Sequence, residues 1–466
     1  MHLKFTRLTQ ALTAAGVVSV LFSAIPARAV TMEELAKKLE ALEAQNAELK
    51  AKVEHLEAAQ QQQATQVQQQ AAQTQRQAVT IEEVQKTADA AASKSNAAEW
   101  AASTTVSSYG EITYSRPTQA PEKTNVDIAR AVIGMTHRFD DQTKMVGEWE
   151  WEHAVTSSTD AGEAEVEQLY VEREFDSGLR GKAGLFLMPV GLINQNHEPT
   201  AYYGVFRPDV DTKIVPSTWR EVGVGLSGDT NGGLTWEAGL TTGPNLSKWD
   251  ASTDEGLVRG PLAAIHGEGQ FAAARDLSVY AALSWRGVPG LLVGGSVFAG
   301  DVGQHQQDFL GNNSHLLLLD IHSRYEIGPW DFAAEYVRGT ISDTEALNTS
   351  FATSGTTNPT LVPALFDGGY VQAAYRLHLP GDYTIIPFTR YEVLNTAAGY
   401  GSLPASLGGI AQPRDNILTA GASFRIGEGV VVKADYRKYK NDKLPSAIPD
   451  AWTKGDSFNM GLGYSF

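Results

Sequence analysis

From Thr104 to the carboxyl terminus, apolar and polar residues alternate with a period of two. The end of the chain is clearest. Phe458, Met460, Leu462, Tyr464 and Phe466 fall on one phase, and Asn459, Gly461, Gly463 and Ser465 on the other. A strand with lipid on one face and water on the other has this pattern, but so does a half-buried strand of a soluble sheet. The set of strands separates the two. Sixteen segments carry the pattern: 104–115, 125–138, 143–155, 164–175, 179–189, 220–228, 234–243, 277–287, 291–300, 314–327, 330–340, 367–379, 383–396, 415–426, 430–440 and 456–466. Connections after even-numbered segments are tight, as at Asp140-Asp141, Val288-Pro289-Gly290, Gly328-Pro329 and Gly427-Glu428-Gly429. Those after odd-numbered segments are long, as at 190–219, 244–276, 341–366 and 397–414. A closed up-and-down barrel requires this alternation, because turns gather at one rim and loops at the other. Closure also removes sheet edges, whose unpaired backbone groups are costly in lipid. Within 244–276 the Ala-rich Gly267–Arg275 is a candidate short helix.

Aromatic residues support a membrane setting. Trp149, Trp151, Trp236, Trp285, Trp330, Tyr325, Tyr336, Tyr375, Tyr464 and Phe466 all lie on the predicted outward phase, where amphipathic rings favour the headgroup level. Ordinary packing in a soluble barrel is the alternative.

The first hundred residues follow other rules. His2, Lys4 and Arg7 precede an apolar stretch, Ala11–Ile25, and a small-x-small pattern at Ala27-Arg28-Ala29. Residues 1–29 therefore read as a secretory signal peptide rather than a short membrane anchor. In 30–100, Met32, Leu39, Asn46 and Val53 recur every seven residues, with Leu35, Leu42, Leu49 and Leu56 three positions later. That is the a/d seam of a left-handed coiled coil, which needs a partner to bury it. Val67, Ile81 and Val84 keep the phase through the glutamine-rich Gln60–Gln77, where disorder competes with helix. The predicted fold is all-β: a 16-stranded antiparallel transmembrane β-barrel (101–466) preceded by an α-helical coiled coil (30–100).

Composition narrows the chemistry. With no cysteine among 466 residues, disulfides, thiolate metal sites and cysteine nucleophiles are excluded. A net charge of −17 argues against nucleic acid as a partner. A mean hydropathy of −0.23 excludes a helical membrane bundle but not a barrel.

Charge is distributed unevenly in the predicted lumen. The third and fourth strands point Glu148, Glu150, Glu152, Glu172 and Glu174 inward, and strands 12 to 15 point Arg376, His378, Arg390, Arg425, Lys433 and Arg437 inward. In a ring of sixteen these form opposed acidic and basic walls, unless they are neutralised locally, as Glu392 beside Arg390 and Asp435 beside Lys433 suggest. The connection 190–219 is too long for a hairpin. Its three prolines and many large apolar groups suit a stiff element folded inward to narrow a pore, with Glu198, Arg207, Asp209 and Lys213 as candidate constriction residues.

Two elements of this stretch, Asn-x-x-His-Glu-Pro at Asn194–Pro199 and Pro-Ser-Thr-Trp-Arg-Glu-x-Gly at Pro216–Gly223, resemble the constriction region of the phosphate-selective porin O and P family. Pro289-Gly290-Leu291 with Gly294-Gly295-Ser296 adds to the likeness. It covers Thr104–Phe466. The coiled-coil leader is similar to that of trimeric dicarboxylate porins. The resemblance implies a trimeric, 16-stranded outer-membrane channel. The family's phosphate-selective members line the pore with a ladder of Arg and Lys, whereas 101–466 hold 27 basic and 43 acidic residues here, a balance of −16. Phosphate selectivity is therefore not implied.

Enzyme signatures are absent or accidental. Gly223-x-Gly225-x-x-Gly228 lies inside an alternating strand and opens no helix. Asp209 and Asp211 lack the ligand number of a calcium loop. No catalytic residue, cofactor or metal ligand is expected. The expected function is an outer-membrane porin for passive diffusion of small hydrophilic solutes, anions or dicarboxylates favoured. It would act as a homotrimer held through the coiled coil and the barrel sides, with the coiled coil in the periplasm. A gated or ligand-binding channel, for example for metal chelates, and an envelope tether with a barrel anchor are the alternatives.

Overall fold

The computed structural model describes residues 100–441 and 456–466, together with separate positions between 33 and 52. The predicted signal peptide and most of the predicted coiled coil lie outside the described residues. Contacts divide the chain into Met1–Lys94 and Ser95–Phe466. In the first unit the described positions are helical, and Leu39, a seam residue, is exposed.

Sixteen strands are found among the described residues of the second unit. They are β1 (Thr104–Pro117), β2 (Asn125–Arg138), β3 (Thr143–Glu152), β4 (Ala164–Glu174), β5 (Arg180–Leu187), β6 (Arg220–Asp229), β7 (Leu234–Thr241) and β8 (Ser278–Trp285). They continue as β9 (Leu291–Asp301), β10 (His315–Ile327), β11 (Trp330–Ile341), β12 (Leu365–Tyr375, extended by Leu377–His378), β13 (Tyr383–Gly399), β14 (Asp415–Ile426), β15 (Val430–Asn441) and β16 (Ser457–Ser465). Each pairs antiparallel with its neighbours in sequence, and β1 pairs with both β2 and β16, so the barrel is closed.

The outward phase is apolar. Ile133, Leu226, Leu283, Ile321, Val371, Leu418 and Leu462 are exposed on the barrel, as are Trp151, Trp285, Trp330, Tyr336, Tyr464 and Phe466. Trp330 stacks on Phe332 and meets Tyr375 edge-on at 4.7 Å. The predicted helix at Gly267–Arg275 does not form. Positive φ at Glu268, Gly269 and Phe271 breaks that stretch, and a single helical turn, α1, forms earlier at Glu255–Val258. A second helix, α2 (Glu345–Thr353), lies in the loop after β11.

One wall carries a β-bulge. Glu148 of β3 pairs with Gln168 of β4, but the next pair is Trp149 with Val166, so Glu167 is the extra residue. A bulge inserts a residue and reverses the side-chain phase. Leu169 and Val171 are thus exposed on one side of it, while Glu167 is buried on the other.

The lumen is only partly a water space. Met188, Val190, Val210, Ile214, Val215 and Trp219 of the 188–219 region form one buried cluster with Leu246, Trp249, Leu262 and Ile265 of the loop after β7. The cluster also takes in inward residues of the wall: Phe298 of β9, Leu316 and Leu318 of β10, Val337 of β11, Phe366 and Tyr370 of β12, and Leu394 of β13. The apolar run Leu316–Leu319 fits this, since it is apolar on the lumenal face as well as the lipid face.

Candidate functional site

The long connection between β5 and β6, 188–219, folds into the barrel and touches strands around most of the ring. Two elements singled out in the sequence close it on itself. The Asn194 side-chain amide donates to the backbone oxygens of Met188 and Trp219, both at 2.8 Å, and its carbonyl accepts from Trp219 N at 2.7 Å. Asn194 thereby ties the beginning of the loop to its end. Trp219 is 1% exposed and lies 4.6 Å from Phe298. Its indole donates to Glu221, which also accepts from Thr242 at 2.5 Å.

Between these ends the chain crosses to the opposite wall. Tyr202 OH donates to Glu111 of β1 at 2.8 Å, and Tyr203 OH donates to Asp331 of β11 at 2.8 Å. Val205 N donates to Asp435 of β15 at 2.6 Å. Leu192 N donates to Glu335 of β11 at 2.9 Å. The terminal strand makes room for this crossing. A Cβ at Gly463 would lie 2.5 Å from Pro199 Cβ, and one at Gly461 would lie 3.2 Å from Val205. The small inward residues of β16 are therefore a seat for the loop as much as a water-facing surface.

The four candidate constriction residues divide into two kinds. Glu198 is exposed. Arg207, Asp209 and Lys213 are buried. Arg207 donates to Ser217 Oγ at 2.6 Å, Thr218 Oγ1 at 3.0 Å and the His197 carbonyl at 3.2 Å. Asp209 pairs with Lys213 at 2.9 Å and with Arg437 of β15. Asp209 and Lys213 are thus matched by opposite charge within the protein, and Arg207 is held by neutral oxygens of its own loop.

The acidic wall is similarly matched in part. Arg130 of β2 meets Glu111 at 3.0 Å and Glu150 at 3.3 Å. Glu172 pairs with Lys144 at 2.8 Å. Glu148 accepts from Gln168 at 2.6 Å. Glu152 is half-buried and Glu174 is exposed at the end of β4. Two further acids belong to this wall. Glu165 pairs with Arg220 at 2.5 Å, and Glu167 is fully buried beside Tyr109 and His197. Sequence reasoning placed inward residues by one unbroken parity and so missed both. The signal was present: apolar residues move from even positions, Ala164 and Val166, to odd ones, Leu169 and Val171.

On the basic wall, Arg390 is 1% exposed, pairs with Glu392 at 2.8 Å and donates to the Tyr203 carbonyl at 3.1 Å. Arg376 pairs with Glu326 at 3.0 Å and Asp331 at 2.9 Å. Arg437 is held by Asp209. Lys433 and Arg425 make no ion pair within 4 Å among the described residues. Lys433 Nζ stands 3.7 Å over the Tyr202 ring, and Arg425 donates to the Thr200 carbonyl. His378 is exposed near the turn after β12.

Beside the crossing loop a cavity of about 320 Å³ remains, lined among others by Leu192, Tyr202, Tyr203, Arg286, Arg324, Glu326 and Arg390. Its far end reaches the tight turn Val288–Gly290, so it belongs to the rim of short turns. A closed barrel, a long loop across its lumen and a charged space beside that loop are the parts of a porin. Residues 106–466 match the family model described as phosphate-selective porin O and P.

The chain belongs to the phosphate-selective porin O and P family. It is similar to an uncharacterized protein of Aquifex aeolicus (strain VF5), at 29% identity over 350 residues, which are 72% of this chain and 76% of that protein. Among solved structures, Salmonella typhi OmpF in complex with daunomycin superposes with a TM-score of 0.54 at 15% identity, covering 78% of this chain and 97% of OmpF. That likeness is one of fold. The outer-membrane channel DcaP of Acinetobacter baumannii gives a TM-score of 0.49 at 11% identity, covering 78% of this chain and 97% of DcaP. Family and barrel together make this protein an outer-membrane porin channel.

Proposed function

We propose that this porin forms homotrimers through which small hydrophilic solutes diffuse passively, with anions, dicarboxylates among them, favoured. One observation carries the preference. The space left beside the crossing loop is lined by Arg286, Arg324, Arg390 and Glu326. Arg324 is matched by Asp331 at 2.6 Å and Arg390 by Glu392 at 2.8 Å, Glu326 is engaged by Arg376 at 3.0 Å, and Arg286 is left as a cation with no ion pair within 4 Å among the described residues. Lys433 and Arg425, which make no ion pair within 4 Å among the described residues, add to the same sign. A local surplus of cations at a narrow point outweighs the chain's overall acidity, because a low-dielectric constriction focuses the nearest charges. On this reading Glu198 faces the passage, while Arg207, Asp209 and Lys213 shape it by holding the loop. The trimer is supported by the heptad seam of 30–100, which cannot be buried by a single helix.

The test is the reversal potential of the purified protein in a planar bilayer under a salt gradient. Anion preference is expected, moving toward cations in Arg286→Glu. Cation preference in the wild type overturns the proposed selectivity. Deleting 30–100 is expected to abolish trimers while conductance is retained; loss of envelope attachment alone would favour the tether.

A gated channel is favoured by a different observation, the apolar filling of the lumen around Trp219, Leu262 and Phe298. It predicts long closed periods in single-channel records. A steady open level excludes it.

A further inference from the structure

The bulge in β4 and the crossing loop bring together Glu148, Glu167 and His197, whose donor atoms all lie within 4.8 Å of one another. We propose that these residues bind a divalent transition-metal cation of the zinc class, which clamps the crossing loop to the β3–β4 wall.

The argument begins with protons. His197 Nδ1 lies 3.0 Å from the Asn194 carbonyl, which can only accept, so Nδ1 carries the hydrogen. In the neutral ring Nε2 is then a lone pair, and it points at the acids. Tyr109 OH is 2.6 Å from that Nε2 and 2.7 Å from Glu167 Oε2. A phenol has one proton, so with a neutral ring it cannot donate to both; only an imidazolium, giving its Nε2 hydrogen to the phenol oxygen, would satisfy the two contacts without a further cation. The other oxygen of Glu167, Oε1, makes no hydrogen bond, although the residue is 0% exposed, and it faces His197 Nε2 at 3.6 Å. Two lone pairs thus face each other in a dry place, where an unmatched acceptor is expensive. A cation between them satisfies both and leaves the Tyr109 proton to Glu167 Oε2.

The surroundings suit a metal. Metal-binding imidazoles commonly donate their other ring N–H to a backbone carbonyl, as His197 does, which fixes the ring's orientation. The carboxylates are held in the same way: Glu167 by Tyr109, and Glu148 by Gln168 at 2.6 Å. Two carboxylates balance a divalent charge, and one imidazole with two carboxylates suits Zn²⁺ over the all-oxygen preference of Ca²⁺ and Mg²⁺. Nearby acids exceed nearby bases: Glu111 and Glu150 share Arg130. Glu148 is half-exposed and offers the route from the lumen.

The test uses untagged full-length protein in detergent, stripped with a chelator and titrated with Zn²⁺. The expected result is one zinc per chain, with Ca²⁺ failing to compete. Glu148→Gln should weaken binding on the order of tenfold or more, and Glu167→Gln and His197→Gln should abolish it, while Glu428→Gln in an exposed turn leaves it unchanged. Zinc should also slow proteolytic cleavage of the 190–219 loop in the wild type and not in His197→Gln. Should His197→Gln fail to fold, judged by the heat-dependent mobility of the barrel on gels, the milder Glu148→Gln carries the test. No zinc bound at millimolar concentration, or equal binding by wild type and Glu148→Gln, overturns the proposal. Competition by Ca²⁺ at equal concentration overturns the assigned metal class.

Discussion

The crossing loop is attached differently to the two sides of the barrel, by apolar burial with polar ties on one and by polar ties on the other. Toward β9–β13 it is held by burial of Val210, Ile214, Val215 and Trp219 against Phe298, Leu318, Val337 and Phe366, with polar ties from Leu192 N and Tyr203 to Glu335 and Asp331 of β11 and from Arg390 of β13 to the Tyr203 carbonyl. Toward β1–β4 and β15–β16 it is held by Tyr202, His197 and Val205 N on Glu111, Tyr109 and Asp435. Apolar contact is large in energy and tolerant of direction. Hydrogen bonds between buried polar groups contribute little net energy but penalise every displacement that leaves one unpaired. Apolar adhesion is therefore concentrated on the β9–β13 side, while the polar ties that set position stand on both sides.

The sharpest way to break this division is Trp219→Ala. Removing a fully buried indole from a packed cluster costs about 3–5 kcal/mol. Urea unfolding should show that loss, and single-channel conductance should rise as the loop frees. Unchanged stability would mean that the polar side alone suffices. Asn194→Ala comes next. It leaves the Trp219 N–H without its partner, at about 1–3 kcal/mol for a buried group left unsatisfied, while the Met188 and Trp219 carbonyls each lose one of two hydrogen bonds and keep Val190 N and Met188 N. Conductance should become noisy between sublevels rather than uniformly larger. A clean, single higher level would show that Asn194 adheres rather than positions.

Gly463→Ala tests the seat on β16. Its new Cβ would meet Pro199 at 2.5 Å, so the loop must shift. The cost is about 1–3 kcal/mol, read as a lower unfolding midpoint together with altered conductance. The last test concerns pH. Asp211, in the loop, is pushed by burial from 3.8 up to about 7. A carboxyl that holds its proton more tightly when folded gives stability below its unfolded value, which is lost as pH rises through the folded value. Relative to Asp211→Asn, the wild type should lose stability between about pH 4 and 7 and be flat outside that window. A rise over that range would contradict burial as the cause.

Much of the barrel was legible in the chain. Strand alternation is local and of period two, and turn chemistry such as Val288-Pro289-Gly290 is local as well, so the sixteen segments and their order correspond to β1–β16. Boundaries drift where a strand runs into a loop that supplies its own hydrogen bonds, as at Glu152, which ends β3 three residues early. The candidate site was legible in part. The Asn194–Pro199 and Pro216–Gly223 elements mark the residues that close the loop. Their partners are not marked, because Tyr109 is 88 residues from His197 and Asp435 is 230 residues from Val205.

By itself, then, the sequence determined a membrane barrel: its strand number, the rim of turns and the rim of loops, and a stiff insertion after the fifth strand. Each follows from short-range periodicity and from the cost of unpaired backbone in lipid. Only the tertiary structure decided which charges face water. Asp209 is an internal tie because closure of the ring brings Arg437 of β15 to it, while folding of the loop on itself brings Ser217 and Thr218 to Arg207 and Asp209 to Lys213. Glu167 meets His197 because one extra residue in β4 turns its side chain inward while the loop crosses from the other end of its own connection. Asp209–Lys213 and Arg390–Glu392 are local pairs, but matching across the lumen, as of Asp209 by Arg437, is a property of the closed ring, and no window along the chain contains it.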